Sequence, residues 1–235
     1  MPEDNAKKQA ADFLKSLRKH LGAKLPKQRV EQWISEKGKA VKEDLFVGEL
    51  VLKEISEYLK LNLQCAADDV CKAFLAESRN ARVKGLASRS PASAKRYLFT
   101  KLGVNQKKIV NLWWQKDARK GQTTQSCPDW AFREPCPHKV VFEAKLFRNR
   151  GGERARIELV NGIYQCFYYR AHPQTPESKR HPAWNYDYAC LFAYDVSQNQ
   201  DLVNAWAELN QKVKDACWDS ANIFVMVLPT AKSES

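Results

Sequence analysis

The segment HKVVFEAKLF, residues 138 to 147, places the first constraint on the fold. Val140, Val141, Phe142, Leu146 and Phe147 give it the β-branched and aromatic character of a buried strand. Yet Glu143 and Lys145 stand inside it, two residues apart and so on one face, with Val141 ahead of them. Burying such a pair costs several kcal/mol per ion unless something compensates. An exposed edge strand with a surface ion pair is the competing reading, and the flanking apolar residues oppose it. A bound metal and a nucleic-acid phosphate would supply the compensation.

The rest of the second half has the rhythm of an α/β unit. A short strand in CPDWAF precedes the segment, and a helix across ERARIELVNGIYQCFYYR follows it. A polar loop, AHPQTPESKRHPAW, leads to the strand DYACLFAYD, the helix LVNAWAELNQKVKDAC and the apolar strand NIFVMVLP. Two strands near in sequence, then helix, strand, helix, strand predicts a mixed sheet. The first half reads as helical. Phe13, Leu14, Leu17 and Leu21 recur at helical spacing, EDLFVGELVLKEISEYLK carries a second apolar stripe, and ADDVCKAFLAE a third. NARVKGLASRSPAS, with Gly85 and Pro91, is the candidate linker. SAKRYLFTKLGVNQKKIVNLWW resembles a helix-turn-helix through Gly103, Val104 and Ile109. The alternative is that KIVNLWW is the first strand of the sheet.

Charge separates the two halves. The net charge is +12, and residues 1 to 120 hold all of it, with 26 Lys+Arg against 14 Asp+Glu. Residues 79 to 120 contain 12 Lys+Arg and the single acid Asp117. A field so concentrated attracts a polyanion, nucleic acid first among them. Lys107 and Lys108 stand near Trp113 and Trp114, a mix of charge and aromatic rings suited to DNA. Lys95 and Arg96 belong to the same basic stretch, and Arg180 lies in the polar loop with Gln174, Lys179 and Asn185. No run approaches the roughly 20 apolar residues of a membrane helix, the N-terminus lacks the apolar core of a signal peptide, and the seven cysteines are scattered. These features predict a cytoplasmic protein with reduced thiols.

Pro128, Asp129, Glu143 and Lys145 match the PD-(D/E)XK motif, with 13 residues between the two acids. Here the chain resembles the nuclease superfamily of that name, the fold of most type II restriction endonucleases and of many repair and recombination nucleases. The resemblance implies a Pro-Asp opening one strand, Glu-x-Lys inside the next, and carboxylates that converge on Mg2+. A Mg2+ site of hard oxygen ligands keeps waters and binds substrate phosphate, which suits phosphodiester hydrolysis. Asp129 and Glu143 are then metal ligands, and Lys145 orients the attacking water and offsets charge on the phosphorane. Many members add a Glu from the first core helix, for which Glu49 in VGELVLKEI is the candidate, with Glu54 behind it. Gln165 and Tyr169, four apart on the helix after Glu-x-Lys, look like the Gln-x-x-x-Tyr element of the RecB-like and phage exonuclease branch, and Glu158 lies seven residues before Gln165. That branch usually carries Asp where this chain has Glu143.

Cys127, Cys136 and His138 offer a rival, a structural zinc site, but no close Cys-x-x-Cys pair is present and Pro135 and Pro137 mark a simple turn. No phosphate-binding Gly-x-x-x-x-Gly-Lys-Ser/Thr loop occurs. The sequence therefore predicts an α/β, restriction-endonuclease-like mixed sheet flanked by helices over residues 121 to 235, preceded by a basic helical DNA-binding region over residues 1 to 120. The function expected is a Mg2+-dependent DNA endonuclease of the type II restriction kind. The alternatives are a repair or recombination nuclease acting on ends or branches, and a non-catalytic DNA-binding module. Expected partners are double-stranded DNA, a second copy of the chain and, for a restriction role, a cognate methyltransferase on a separate chain.

Overall fold

A computed structural model of the chain describes residues 2–38, 41, 43–62, 66–67, 109–110, 112–114, 129–132, 138–148, 151–171 and 186–230. The helical spacing of Leu14, Leu17 and Leu21 is realised in α1 (Pro2–Lys24), where all three are fully buried. Each contributes about 1.5–3 kcal/mol relative to an exposed side chain. Pro26, with its φ preset and no N–H to lose, begins α2 (Lys27–Lys37), whose Val30 and Trp33 face inward. A third helical stretch is continuous but changes pitch along its length. It opens as α3 (Glu43–Phe46), widens to one π-helical turn over Val47–Val51, and continues as α4 (Leu52–Asn62). The segment read as a third helix, residues 67 to 77, lies almost wholly outside the described residues.

Two short strands, β1 (Ala66–Ala67) and β2 (Ile109–Val110), pair in parallel. The main sheet has five strands in the order of the chain: β3 (Leu112–Trp114), β4 (Trp130–Phe132), β5 (Val140–Phe147), β6 (Tyr188–Asp195) and β7 (Ile223–Leu228). β4 lies antiparallel to both its neighbours, β3 and β5, whereas β5, β6 and β7 run parallel. The sheet is mixed, and the fold is α/β. For residues 112–114 the strand alternative therefore holds over the recognition helix.

Helix α5 (Gly152–Ala171) connects β5 to β6, and α6 (Asp201–Glu208) and α7 (Gln211–Asp219) connect β6 to β7. The sequence expectation of one helix over residues 202 to 217 is corrected to two. The break falls at Leu209–Asn210, where the Asn210 side chain accepts the Lys212 N–H and starts a new helix. Asp195, fully buried at the end of β6, accepts three backbone N–H groups, from Ser197, Leu202 and Val203, and so fixes the entry to α6.

The side chains of the sheet alternate between two cores. Phe142, Ala144, Cys190, Phe192 and Tyr194 face the N-terminal helices, and Trp130 stacks on Phe142 at 4.6 Å between ring centroids. Val141, Ala189, Leu191 and Ala193 face α5, α6 and α7. Gly162 lets α5 approach, since a Cβ there would lie 2.6 Å from Leu191 Cδ1. The N-terminal helices share one hydrophobic core with the sheet, across the boundary expected at residue 120. Among the described residues no helix is long and apolar enough to cross a membrane.

Candidate metal centre

β4 and β5 part company where the acids gather. Pairing runs from Phe132↔Val140 to Trp130↔Phe142, and one further bond joins the Asp129 N–H to the Phe142 carbonyl at 2.9 Å. Among the described residues β5 then continues without a strand on that side to Phe147, still paired with β6 on the other. The N–H groups of Ala144 and Leu146 point toward the missing strand, and buried backbone donors need partners. Two carboxylates take them. Asp129 Oδ2 accepts from Ala144 at 2.6 Å, and Glu43 Oε2 accepts from Leu146 at 3.0 Å. The sheet thereby positions one acid from the start of β4 and another from the start of α3 along the open flank of β5.

Glu143 and Lys145 project from β5 on the face of Val141, as the period of two requires. Lys145 Nζ lies 2.6 Å from Glu143 Oε1 and 3.8 Å from Glu43 Oε1. From α5, the Tyr169 hydroxyl donates to Glu143 Oε2 at 2.9 Å. One carboxylate oxygen each of Glu43, Asp129 and Glu143 lie within 4.8 Å of one another. Asp129 and Glu143 are buried, and Glu43 is partly open to solvent.

Among the described residues, three acids against one lysine leave a surplus of negative charge at a largely buried place. Burial, then the Glu143 and Glu43 charges, push the Asp129 carboxyl well above the usual carboxylate range. Burial also raises Glu43, although Lys145 and the Leu146 N–H pull it back. Burial opposes the charge on Lys145, but Glu143 and Glu43 outweigh it and hold the ammonium firmly protonated. Burial and then the Glu143 charge raise the Tyr169 phenol, so it remains a donor. The donor set is hard oxygen and converging, and could hold a metal ion.

The structure brings together Asp129, Glu143 and Lys145 of the sequence-predicted set. It does not bring Glu49. That side chain accepts the Trp33 indole N–H at 3.3 Å and pairs with Lys37 at 2.9 Å, near the surface. The helix carboxylate at the centre is instead Glu43. Its signal was present in the sequence, since Glu43 precedes the buried Phe46 and Val47 by three and four residues and so shares their face. Glu54 pairs with Arg29 at 2.7 Å, and Glu158 with Arg154 at 2.9 Å, although the Glu158 charge still reaches Glu43. Gln165 is half-buried on α5, one turn before Tyr169. Of that pair, Tyr169 makes the contact with the acids. Lys95, Arg96, Lys107, Lys108 and Arg180 lie outside the described residues, as do Cys127 and Cys136 of the zinc alternative. His138, the third residue of that alternative, packs against the Phe13 ring.

Compared with protein-family models, curated proteins and solved structures, the chain matches none.

Proposed function

We propose that the protein is a Mg2+-dependent deoxyribonuclease that hydrolyses phosphodiester bonds. The observation that carries this reading is the convergence of Glu43, Asp129 and Glu143 within 4.8 Å, with the Lys145 ammonium against Glu143. Glu43, Asp129 and Glu143 would hold the ion. When bound, it supplies Lewis acidity to the scissile phosphate and acidifies a coordinated water. Lys145 places a fixed positive charge beside the acids, where it faces the anionic oxygens of a phosphate. Tyr169 fixes the orientation of Glu143. The basic stretch of residues 79 to 120 supplies the attraction for the polyanion.

Sequence-specific cleavage of duplex DNA, of the type II restriction kind, is the first reading. A second, action on DNA ends or branches, is favoured by the Tyr169 contact to Glu143, since that tyrosine belongs to the Gln-x-x-x-Tyr element. Incubation with supercoiled, linear and single-stranded DNA, with and without Mg2+, tests both. Discrete fragments from a closed circle support the first. Digestion confined to linear DNA supports the second. No cleavage of any of the three overturns the nuclease reading, and metal-independent cleavage, or full activity in Asp129→Ala or Glu143→Ala, overturns the metal site as its centre.

A further inference from the structure

Helix α5 runs a polar ridge along the metal centre. Arg154, Glu158, Gln165 and Tyr169 fall within about 60° of one another around the helix axis. The ridge meets the acids at two points. Tyr169 donates to Glu143 Oε2 at 2.9 Å, and the Glu158 charge is felt at Glu43. Arg154 stands one turn further on, about 6 Å along the axis beyond Glu158. It closes the ridge at the Glu43 end, where the centre opens to solvent.

Nothing in the helix itself asks for an arginine there. Position 154 lies in the first turn, where the helix dipole opposes a positive charge. Its i,i+4 pair with Glu158, at 2.9 Å, runs in the weaker order, with the cation on the N-terminal side. The other two arginines of α5 are engaged by the fold. Arg156 pairs with Glu208 of α6 at 2.6 Å, and Arg170 donates to the Tyr186 carbonyl at 3.2 Å. Arg154 is half exposed, and among the described residues its one ion-pair partner is Glu158. An ion pair so open to water is weak, so a phosphate can take the guanidinium from Glu158 at small cost. Phosphate offers the planar fork two oxygens and belongs to a polyanion. The same first turn that opposes a cation attracts an anion.

We propose that Arg154 is a substrate contact that binds a backbone phosphate next to the one at the acids, and that Glu158 holds its guanidinium in place until that phosphate arrives. This role rests on the nuclease reading for where the substrate lies, since one phosphate has to come to Glu43, Asp129 and Glu143 for its neighbour to reach Arg154. Lys145 already stands at the acids, 2.6 Å from Glu143. The two cations therefore serve neighbouring phosphates of one strand. A phosphate contact positions the strand and reads no base, so its effect is the same for every sequence.

Anisotropy of a short fluorescent duplex over a range of salt tests the contact, with Ca2+ in place of Mg2+ because both ions take carboxylate oxygens. Arg154→Gln is expected to weaken binding on the order of tenfold for unrelated sequences alike, and to lower the slope of log Kd against log salt by about 1. In cleavage with Mg2+ the same variant should raise KM on the order of tenfold and leave kcat within about twofold. Glu158→Gln should bind the duplex more tightly, because no carboxylate then competes for the guanidinium. The double variant decides between contact and screening. If Arg154 binds phosphate, its substitution weakens binding in the Glu158→Gln background as well. If Arg154 only screens the Glu158 charge from the DNA, the loss disappears in that background and the proposal is overturned. Unchanged affinity and slope in Arg154→Gln overturn it too, as does a tenfold loss of Mg2+ affinity in Glu158→Gln, which would make Glu158 part of the metal centre. Should Arg154→Gln misfold, Arg154→Lys keeps the test open. It is expected to hold the wild-type salt slope and bind severalfold more weakly, and undiminished affinity would overturn the two-oxygen contact. A wild type that cuts no DNA strikes the nuclease reading alone if the slope still falls with Arg154→Gln. A wild type that binds no duplex overturns both.

Discussion

Asp129 Oδ2 accepts the amide N–H of Ala144 at 2.6 Å, where β5 has lost β4 as its neighbour. The same carboxylate therefore closes an open hydrogen-bonding edge and stands among the acids that would hold a metal. Its fold role needs an acceptor oxygen, and its site role needs a negative charge. The two are separable by experiment.

Asp129→Asn keeps an acceptor for Ala144 and removes the charge. The raised carboxyl holds its proton in the folded protein at pH values where the unfolded chain, near pH 3.9, has lost it. Stability from this group is thus full at low pH and is lost as pH rises through the folded value. In metal-free buffer the wild-type Tm is expected to fall as pH rises above about 4, and Asp129→Asn to flatten that fall. At pH 7 the variant should be more stable by about 1 kcal/mol, or about 2–4 °C. Calorimetry in chelator across pH measures both. A variant less stable than wild type at pH 7 would show that charge is not the strain here.

Glu43 and Glu49 are distinguished by metal binding. Saturating Mg2+, at about 100 times its Kd, is expected to stabilise the wild type by about 2.7 kcal/mol. Glu43→Gln should weaken Mg2+ affinity about 10–100-fold, the range seen when a group ordering a metal site is removed. Glu49→Gln should leave it unchanged, because Glu49 serves Trp33 and Lys37. Thermal shift against Mg2+ concentration reads both variants. Equal loss in the two would place the helix ligand wrongly.

The contrast between these two glutamates shows what the sequence made legible. The strand with Glu143 and Lys145 on one face, the strand before it and the helix after it followed from periods of two and of 3.6, because each is set by local geometry. Glu43 and Glu49 both stand three or four residues from buried positions, and what separates them is a change of pitch between the two. In a regular turn Phe46 neighbours Glu49 and Leu50. In the π turn it neighbours Leu50 and Val51, both buried, and Glu49 rotates outward. A change of pitch leaves no local mark in residue types. The break at Asn210 did leave one, a capping residue inside an apolar pattern, outweighed by the period on either side. Leu112–Trp114 is a strand because β4 pairs with it, a tertiary fact that an apolar run of three residues does not disclose.

Gly162 is expected to be intolerant of a side chain. Alanine would improve helix propensity by about 1 kcal/mol, but its Cβ would lie 2.6 Å from Leu191 Cδ1 and 3.4 Å from Cγ. Leu191 is fully buried and is the β6 register partner of Glu143, so it has little room to yield. Overpacking of this kind costs about 1–3 kcal/mol, and a net loss near 1 kcal/mol is expected for Gly162→Ala. Leu191→Val in the same chain should recover part of it. Urea denaturation of the single and double variants checks the coupling, and simple additivity would mean that the two sites do not touch.

Tyr169→Phe removes one hydroxyl and leaves the ring. The lost bond to Glu143 Oε2, at 2.9 Å, should lower stability by about 0.5–1.5 kcal/mol. The larger effect is expected at the metal. Without the phenol, Glu143 keeps only the Lys145 contact on its other oxygen and is free to turn toward the ammonium. Mg2+ affinity is expected to fall about tenfold, and DNA cleavage at low Mg2+ with it. High Mg2+ should restore cleavage in Tyr169→Phe and not in Glu143→Ala, because the first loses orientation and the second loses the ligand. Cleavage against Mg2+ concentration separates them. A Tyr169→Phe enzyme with lowered activity at every Mg2+ concentration, and unchanged Mg2+ affinity, would mean that the phenol acts on the substrate and not through Glu143.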